Sequence, residues 1–190
     1  MKQRLLSLKI AALATTLIAS VISINTAKAS TFGEKEVEQD NFVAVASPYG
    51  YDNYNLLIIE QIPGKKDCWR ETGANPIEIE PLLLNFNFRG HCRRNTDSNG
   101  YSLRVDGEDY GMNYLLGVVE KEGNLYLVAT SRSDVSEPEI IIGTTQGKHD
   151  GFTKIVLNPG WKFTKRTYGG KTLGHVYLSG NSAEIFSETD

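Results

Sequence analysis

An all-β fold, arranged as an antiparallel sandwich or partly closed barrel with one or two short helices at most, is what this sequence predicts. Apolar runs of strand length recur along the chain and are rich in Val, Ile and Tyr. Gly or Pro marks many of their ends, and most spacings between runs are those of hairpins. No repeat with a period of roughly 20 to 50 residues is present, so a repeat array is not expected.

The composition excludes several classes of protein. The 190 residues are 40% hydrophobic and 23% charged, which is too apolar for a disordered chain and too polar for an integral membrane bundle. A formal net charge of −3 gives no reason to expect a nucleic-acid partner. The chain is therefore expected to fold as one globular domain.

The N-terminal segment has the pattern of a cleaved signal peptide. Lys2, Arg4 and Lys9 precede about 15 apolar or small residues, and Ala27-Lys28-Ala29 places small residues where signal peptidase reads them. The apolar run is shorter than the roughly 20 residues that a membrane span needs. We expect cleavage near Ala29, a periplasmic or extracellular location, and no membrane span in the mature chain.

Four regions follow from this pattern. They are a signal peptide at 1–29, a polar N-terminal tail at 30–41, a single β-rich domain at 42–180 and a C-terminal tail at 181–190. Removing the leader takes away four cations and no acid, so the net charge falls from −3 to −7. The mature domain is acidic.

The strand predictions cover ten segments of the β-rich domain. A helix is hardest to exclude at Asp109–Glu120, where Tyr110, Tyr114 and Val118 recur at helical spacing, but Gly111 and Gly117 disfavour it. The predicted strands are Phe42–Ser47, Tyr54–Ile62, Leu82–Phe88, Tyr101–Asp106, Tyr114–Glu120, Leu125–Thr130, Glu139–Gly143, Phe152–Leu157, Trp161–Tyr168 and Lys171–Leu178.

Three turns are predicted from the chemistry of their residues. Glu122-Gly123-Asn124 and Gly169-Gly170 each join two apolar runs with residues that suit a tight hairpin loop. In Asp97-Ser98-Asn99-Gly100 the polar side chains can bond their own backbone, and Gly100 can supply a positive φ.

Cys68 and Cys92 are the only cysteines, and both lie in the mature chain. An even count in an exported protein predicts one disulfide, which on the chain-entropy argument stabilises by about 3.5 kcal/mol. A zinc site would need two further ligands, and only His91 is adjacent. A catalytic thiol is disfavoured in an oxidising compartment.

Seven short segments carry a resemblance to a known family. They are FVAVASPYG from Phe42, LLIIEQIP from Leu56, Cys68-Trp69, EPLLLNF from Glu80, TDSNGY from Thr96, PGWKFTKRTY from Pro159 and LGHVYL from Leu173. Together they resemble an exported cyanobacterial family, domain of unknown function 3747. The resemblance covers nearly the whole mature chain and implies export from a photosynthetic bacterium as a stand-alone domain. It implies no catalytic residue.

A calcium site is a secondary hypothesis, and no other cofactor is predicted. Asn95, Asp97, Asn99 and Asp106 are spaced nearly as the ligands of a calcium loop, with Gly100 at the turn. The first ligand is Asn instead of Asp and the last is Asp instead of Glu, and Arg93 and Arg94 would repel the cation. A polar hairpin turn is the favoured interpretation.

The C-terminal hairpin is the main binding candidate. Aromatic rings alternate there with cations, which could stack on sugar rings or neutralise an anionic polymer. Alternatively, the rings are core residues and the cations a solvated face. The predicted binding residues are Trp161, Lys165, Arg166, Tyr168 and His175, on a hairpin that also carries Lys162, Phe163, Lys171 and Tyr177.

Evidence for catalysis is thin. No serine-hydrolase elbow, zinc-protease helix or phosphate loop is present. Glu60 and His175 are the weak catalytic candidates, and Glu71, Glu78, Glu80 and the pair His149-Asp150 are further acid-base groups. Glu60 follows an apolar run, and an ion pair with Arg70 or Arg89 is the favoured explanation for it.

The sequence thus predicts an exported, non-catalytic β domain that binds a cell-envelope glycan or a protein partner through the Trp161–Tyr177 hairpin. A carboxylate-dependent envelope hydrolase is the first alternative. A purely structural extracellular matrix subunit is the second.

Overall fold

The computed structural model describes residues 31–185. The predicted signal peptide lies outside the described residues, as do residues 186–190 of the predicted C-terminal tail. Within 31–185 the secondary structure is almost all strand, and the all-β prediction is confirmed. One α-helix of four residues, Ser182–Ile185, lies in this range, and no helix there is long and apolar enough to cross a membrane.

Fourteen strands lie in the described part of the chain, with 3₁₀ turns at Gln39–Asn41 and Leu82–Leu84. The strands are β1 Gly33–Glu36, β2 Phe42–Tyr49, β3 Asn53–Gln61, β4 Trp69–Gly73, β5 Ile77–Pro81, β6 Cys92–Asn95, β7 Tyr101–Val105, β8 Glu108–Asp109, β9 Tyr114–Lys121, β10 Asn124–Ser131, β11 Ile140–Thr144, β12 Thr153–Leu157, β13 Trp161–Tyr168 and β14 Lys171–Gly180.

The strands form two curled sheets. The five-stranded sheet has the order β1-β13-β14-β7-β8. The nine-stranded sheet runs β6-β3-β2-β12-β11-β10-β9, with β5 attached to β12 and β4 attached to β5. Described strand pairs are antiparallel except β14 with β7. A half-barrel or sandwich results, as the sequence predicts.

Two apolar clusters fill the fold. The main core lies between the sheets and contains Leu103, Leu127, Trp161, Val176 and Leu178 among others. The second core lies on the other side of β2 and β3 and contains Val43, Leu57, Ile59, Leu83 and the two cysteines. Because alternate residues of β2 and β3 enter different cores, the buried stretches at residues 42–46 and 56–59 are apolar without interruption, as strands covered on both faces are.

The predicted disulfide is present. The Cys68 and Cys92 sulfurs are 2.08 Å apart, and both residues are buried in the second core. The bond links β6 to the residue before β4, and so holds the segment between the two cysteines against the second core.

The predicted strand at Leu82–Phe88 is wrong. This segment forms the 3₁₀ turn Leu82–Leu84 followed by further turns. β5 ends at Pro81, which has no N–H for a sheet ladder. The Leu82 N–H instead donates to the Cys68 carbonyl, and Leu83 enters the second core.

The polar tail at 30–41 contains β1, which pairs with β13 from Gly33 opposite Thr167 to Glu36 opposite Thr164. The Gln39 amide then bonds both backbone groups of Phe163. The tail therefore extends the five-stranded sheet.

The predicted turns are found, with one difference. Glu122 and Gly123 both have positive φ, as do Gly169 and Gly170, so each pair forms a tight hairpin loop. At the third turn, Asp97 Oδ1 accepts the Asn99 N–H. Gly100 does not have a positive φ; glycine is needed because a Cβ there would lie 2.7 Å from the Asn95 Cβ.

Candidate binding site

The hairpin β13–β14 divides the predicted binding residues between two sides of the five-stranded sheet. Trp161 and Phe163 point into the main core and are 7% and 5% exposed. Arg166, His175 and Tyr177 point to the opposite, outer side. Tyr168 is 48% exposed and contacts Phe32, with ring centroids 5.3 Å apart. The five predicted residues therefore do not share one surface.

Lys165 is buried on the inner side as one member of an ion-pair group. Its Nζ lies 2.5 Å from Glu60 Oε2 and 3.2 Å from the Gly174 carbonyl oxygen. Glu60 Oε1 accepts from Arg93 Nη1 at 2.7 Å. The prediction that Glu60 pairs with Arg70 or Arg89 is wrong. Its ion-pair partners are Arg93 and Lys165.

The remaining carboxylate candidates are also paired, each in a different place. Glu71 bonds Lys154 and the Trp69 indole, Glu78 faces His149, and Glu80 bonds Arg70. None of these three acids shares an ion pair with Glu60. The geometry gives no support to the pair of opposed carboxylates that a glycosidase needs.

The outer side of the five-stranded sheet carries a layer of polar side chains that are mostly buried. We call it the outer layer. Tyr177 is fully buried at its centre, with its ring between the guanidinium groups of Arg104, 5.0 Å away, and Arg166, 4.9 Å away. Its members are Glu34, Ser102, Arg104, Asp109, Thr164, Arg166, His175, Tyr177 and Ser179.

Asp109 accepts hydrogen bonds from three other members of this layer, Arg166, Tyr177 and Ser102. Its Oδ2 accepts from Arg166 at 2.6 Å and from the Tyr177 hydroxyl at 2.9 Å, and its Oδ1 accepts the Gly111 N–H at 3.0 Å. Burial acts to raise the pKa of Asp109. The hydrogen bonds from Gly111 and Tyr177 and the positive charge of Arg166 outweigh it and hold the pKa below the usual value.

His175 and Ser102 have the spacing of a base and a nucleophile, 2.8 Å between Nε2 and Oγ. The other ring nitrogen lies 2.9 Å from the Asn99 carbonyl oxygen, which fixes a neutral tautomer with its proton on Nδ1. Burial lowers the pKa of His175. The pair is nevertheless enclosed: Ser102 is 5% exposed, and Gly111 packs so closely that a Cβ there would lie 2.9 Å from the Ser102 Cβ. A substrate has no access to this pair.

Arg104 is the member of the outer layer whose side-chain N–H groups form no hydrogen bond within the described part of the chain. Its side chain is 7% exposed, its Nε is buried without a hydrogen bond, and the nearest acid oxygen, on Glu34, is 3.6 Å away. Its side chain has no hydrogen-bond partner among residues 31–185. A buried guanidinium that is not hydrogen-bonded is costly, and a bound acceptor would offset that cost.

Arg104 lines a cleft of about 770 Å³, which we call the arginine cleft. Phe32 and Tyr110 contribute aromatic rings to it, and Glu108 and Asn113 contribute polar side chains. The Phe32 ring also covers the Arg166 guanidinium, 4.7 Å from its centroid, and is 46% exposed. The cleft thus combines a guanidinium, a carboxylate, an amide and aromatic rings.

Comparison with known proteins identifies the family. The family model for a protein of unknown function, DUF3747, matches residues 9–183. The chain belongs to this family. No significant match was found among curated proteins or among solved structures. The arginine cleft of this DUF3747 chain is therefore interpreted from its own residues.

The tryptophans of the DUF3747 chain meet at a different cleft, of about 650 Å³, lined by Trp69 and by the edge of Trp161. Its polar groups bond one another: Glu71 accepts from Lys154 and from the Trp69 indole, and Gln39 holds the backbone of Phe163. With those groups already paired, this cleft is a weaker candidate than the arginine cleft.

The predicted calcium ligands are not brought together. Asp97 is in the turn before β7, whereas Asp106 follows its other end, roughly 16 Å of strand away. Asp97 Oδ1 caps the Asn99 N–H, and both Asp106 oxygens bond Ser182. In the described part of the chain no three His, Cys, Asp or Glu residues are grouped to hold a metal ion.

Sequence reasoning missed Arg104, Phe32, Glu108, Tyr110 and Asn113. Arg104 alternates with Leu103 and Val105, a pattern that is typical of a cation on the solvated side of a strand. Its burial depends on β14, which lies parallel beside β7, and on Glu34. The only local signal is that Ser102 and Arg104 share one side of β7 with Asp109 on β8.

Proposed function

We propose that this DUF3747 protein is an exported, non-catalytic β domain that binds a neutral cell-envelope glycan in the arginine cleft. One observation carries the proposal: the buried guanidinium of Arg104, without a hydrogen bond, lines an open cleft beside two aromatic rings. A protein partner is the second candidate, since Phe32 and Tyr168 expose adjacent rings.

A sugar suits this chemistry. Its hydroxyl or acetamido oxygens accept from a guanidinium, its hydroxyls donate to a carboxylate such as Glu108, and its C–H face packs on Phe32 or Tyr110. The surrounding charges favour a neutral ligand. Arg104 faces Glu34 and Arg166 binds Asp109, which leaves the negative charge of Glu108. A polyanion would meet that charge and an acidic domain.

Export rests on two observations. The N-terminal segment has the pattern of a signal peptide, and the buried Cys68–Cys92 disulfide is compatible with an oxidising compartment. Cell fractionation followed by N-terminal sequencing of the recovered protein tests it. The expected result is a periplasmic or extracellular chain beginning at Ser30; an intact precursor with free thiols in the cytoplasm would contradict export.

Binding is tested with purified peptidoglycan fragments and neutral exopolysaccharide, by co-sedimentation and calorimetry. Arg104→Lys keeps the charge opposite Glu34 but removes the planar donor fork, so affinity should fall about ten-fold. Phe32→Ala should weaken binding several-fold through lost stacking. Tyr49→Ala, at a ring that is 51% exposed on the β2–β3 hairpin, is the matched control.

Each remaining outcome favours a different function. Equal retention of wild type, Arg104→Lys and Phe32→Ala would exclude the arginine cleft as the binding site. Retention that is lost on Arg166→Ala but not on Arg104→Lys would return the site to the Trp161–Tyr177 hairpin predicted from the sequence. Turnover of the polymers would favour the hydrolase, and no retention of any polymer would favour a structural subunit.

A further inference from the structure

A half-open cavity of about 300 Å³ lies at the margin of the second core, away from the arginine cleft. Leu57, Leu83 and Phe152 form much of its wall. Leu57 and Leu83 are 9% and 6% exposed, so the wall is preformed by the packed protein. Apolar cavities of this size are at the lower limit of small-molecule sites.

Leu84 lies at the rim of this cavity and is 92% exposed. It is the last residue of the 3₁₀ turn Leu82–Leu84, whose central residue Leu83 is anchored in the second core. Water therefore contacts a complete leucine side chain next to an apolar opening. A ligand that extends from the cavity over Leu84 would remove that surface from water.

The mouth of the cavity has one charged side chain, Arg94. Arg94 forms no ion pair or hydrogen bond with any of the residues 31–185; its guanidinium lies over the Phe88 ring, 5.6 Å from the centroid. The neighbouring Arg93, by contrast, is paired with Glu60. Among residues 31–185 no acid lines the cavity, although the chain as a whole is acidic.

We infer that this cavity binds an anionic amphiphile with a medium-length acyl chain, such as a free fatty acid. The acyl chain occupies the apolar cavity against Leu57, Leu83 and Phe152. The part of the acyl chain that extends out of the cavity covers Leu84. The carboxylate pairs with Arg94, with the Thr96 hydroxyl as a second donor at the rim. The inference is independent of the proposed glycan site, which shares no residue with it.

Calorimetry with sodium hexanoate, octanoate and decanoate, below their micelle-forming concentrations, tests the inference on the mature protein. Burying each further methylene should tighten binding about four-fold until the cavity is filled. Decanol, which has the same chain without the carboxylate, should bind at least ten-fold more weakly than decanoate. No heat of binding with decanoate at millimolar concentration would overturn the inference, and so would equal affinity for decanol.

Variants locate the site. Arg94→Gln should reduce decanoate affinity to that of decanol, and Leu84→Ala should reduce it several-fold; both side chains are exposed, so folding is not at risk. Ser47→Phe, at the cavity wall, should block binding. Arg132→Gln and Val135→Ala, on exposed residues elsewhere, are the matched controls. Decanoate binding that is unchanged in Arg94→Gln and in Leu84→Ala would exclude this cavity.

Discussion

The two sides of the five-stranded sheet are buried to a similar degree by opposite chemistry. On the inner side, Val176 and Leu178 of β14 are fully buried among apolar neighbours. On the outer side, Tyr177 is equally buried, and Ser179 is 4% exposed, among side chains that hydrogen-bond one another. Close packing of apolar side chains stabilises the inner side, whereas directional hydrogen bonds stabilise the outer side. The two sides should therefore respond to different substitutions.

Loss of volume on the inner side should have the largest effect. Leu178→Ala leaves a cavity in the main core, where Leu178 has no exposed surface. We expect a loss of about 4 kcal/mol in the free energy of unfolding, measured by urea denaturation monitored by fluorescence. A loss below about 1 kcal/mol would show that the sheets collapse around the gap and that the main core is not closely packed.

Lys165 is a charged residue on the otherwise apolar inner side, and its substitution should have the next largest effect. Lys165→Met leaves the Glu60 carboxylate, whose side chain is 12% exposed, with Arg93 as its remaining partner. Removing one member of a buried pair should cost about 3 kcal/mol. The double variant Lys165→Met/Glu60→Leu should recover part of that loss, because no unpaired charge stays buried. A double variant less stable than the sum of the two single changes would contradict this account.

The outer side should be sensitive to a single hydroxyl. Tyr177→Phe keeps the ring between Arg104 and Arg166 but removes the hydroxyl that donates to Asp109 and accepts from Arg166. The expected loss is about 1.5 kcal/mol. Tyr126→Phe is the control, since the Tyr126 hydroxyl has no hydrogen bond to any residue in 31–185. Equal stability of Tyr177→Phe and wild type would mean that the outer layer is hydrated in solution.

The sequence predicted the strands of the main core well because their signals are local. β2 and β3 each contain an uninterrupted apolar run, with Pro-Tyr-Gly and Pro-Gly marking the ends, and β13 and β14 are joined by Gly169-Gly170. β4 and β6 were missed because Arg and Glu in WRETG and CRRN resemble loop composition, although the structure uses these segments as polar strands. Leu82–Phe88 was misassigned because Leu83 enters the second core from a turn and not from a strand.

The candidate site was less predictable because its contacts are distant in sequence. Alternation along β13 correctly separates Trp161 from Arg166, but it does not show that Arg166 meets Asp109, 57 residues away. Lys165 and Glu60 are separated by 105 residues, so the apolar run before Glu60 predicts an ion pair but does not indicate which cation forms it. The polar side chains of the outer layer bury one another, and they come from several segments. No single segment of the sequence therefore indicates that they are buried.

The smallest effect should come from pH, and it should be confined to the outer side. Burial lowers the pKa of His175 from its usual 6.5, so the folded protein holds the neutral ring. As pH falls through about 6.5 the unfolded chain takes up a proton that the folded chain does not, so this stabilisation is complete above that pH and is lost towards the lower folded pKa. Asp109, whose pKa is also lowered, contributes in a separate window at and below its usual 3.8.

Urea denaturation at pH 7.5 and at pH 5.5 isolates the histidine. The free energy of unfolding of wild type should decrease between the two, and His175→Gln should decrease less, whatever its stability at pH 7.5. His149→Gln, at a half-exposed histidine beside Glu78, serves as the control and should keep most of the wild-type decrease. If His175→Gln loses as much stability on acidification as wild type, then the burial of His175 does not hinder its protonation in the folded protein, and the outer layer accommodates the added charge.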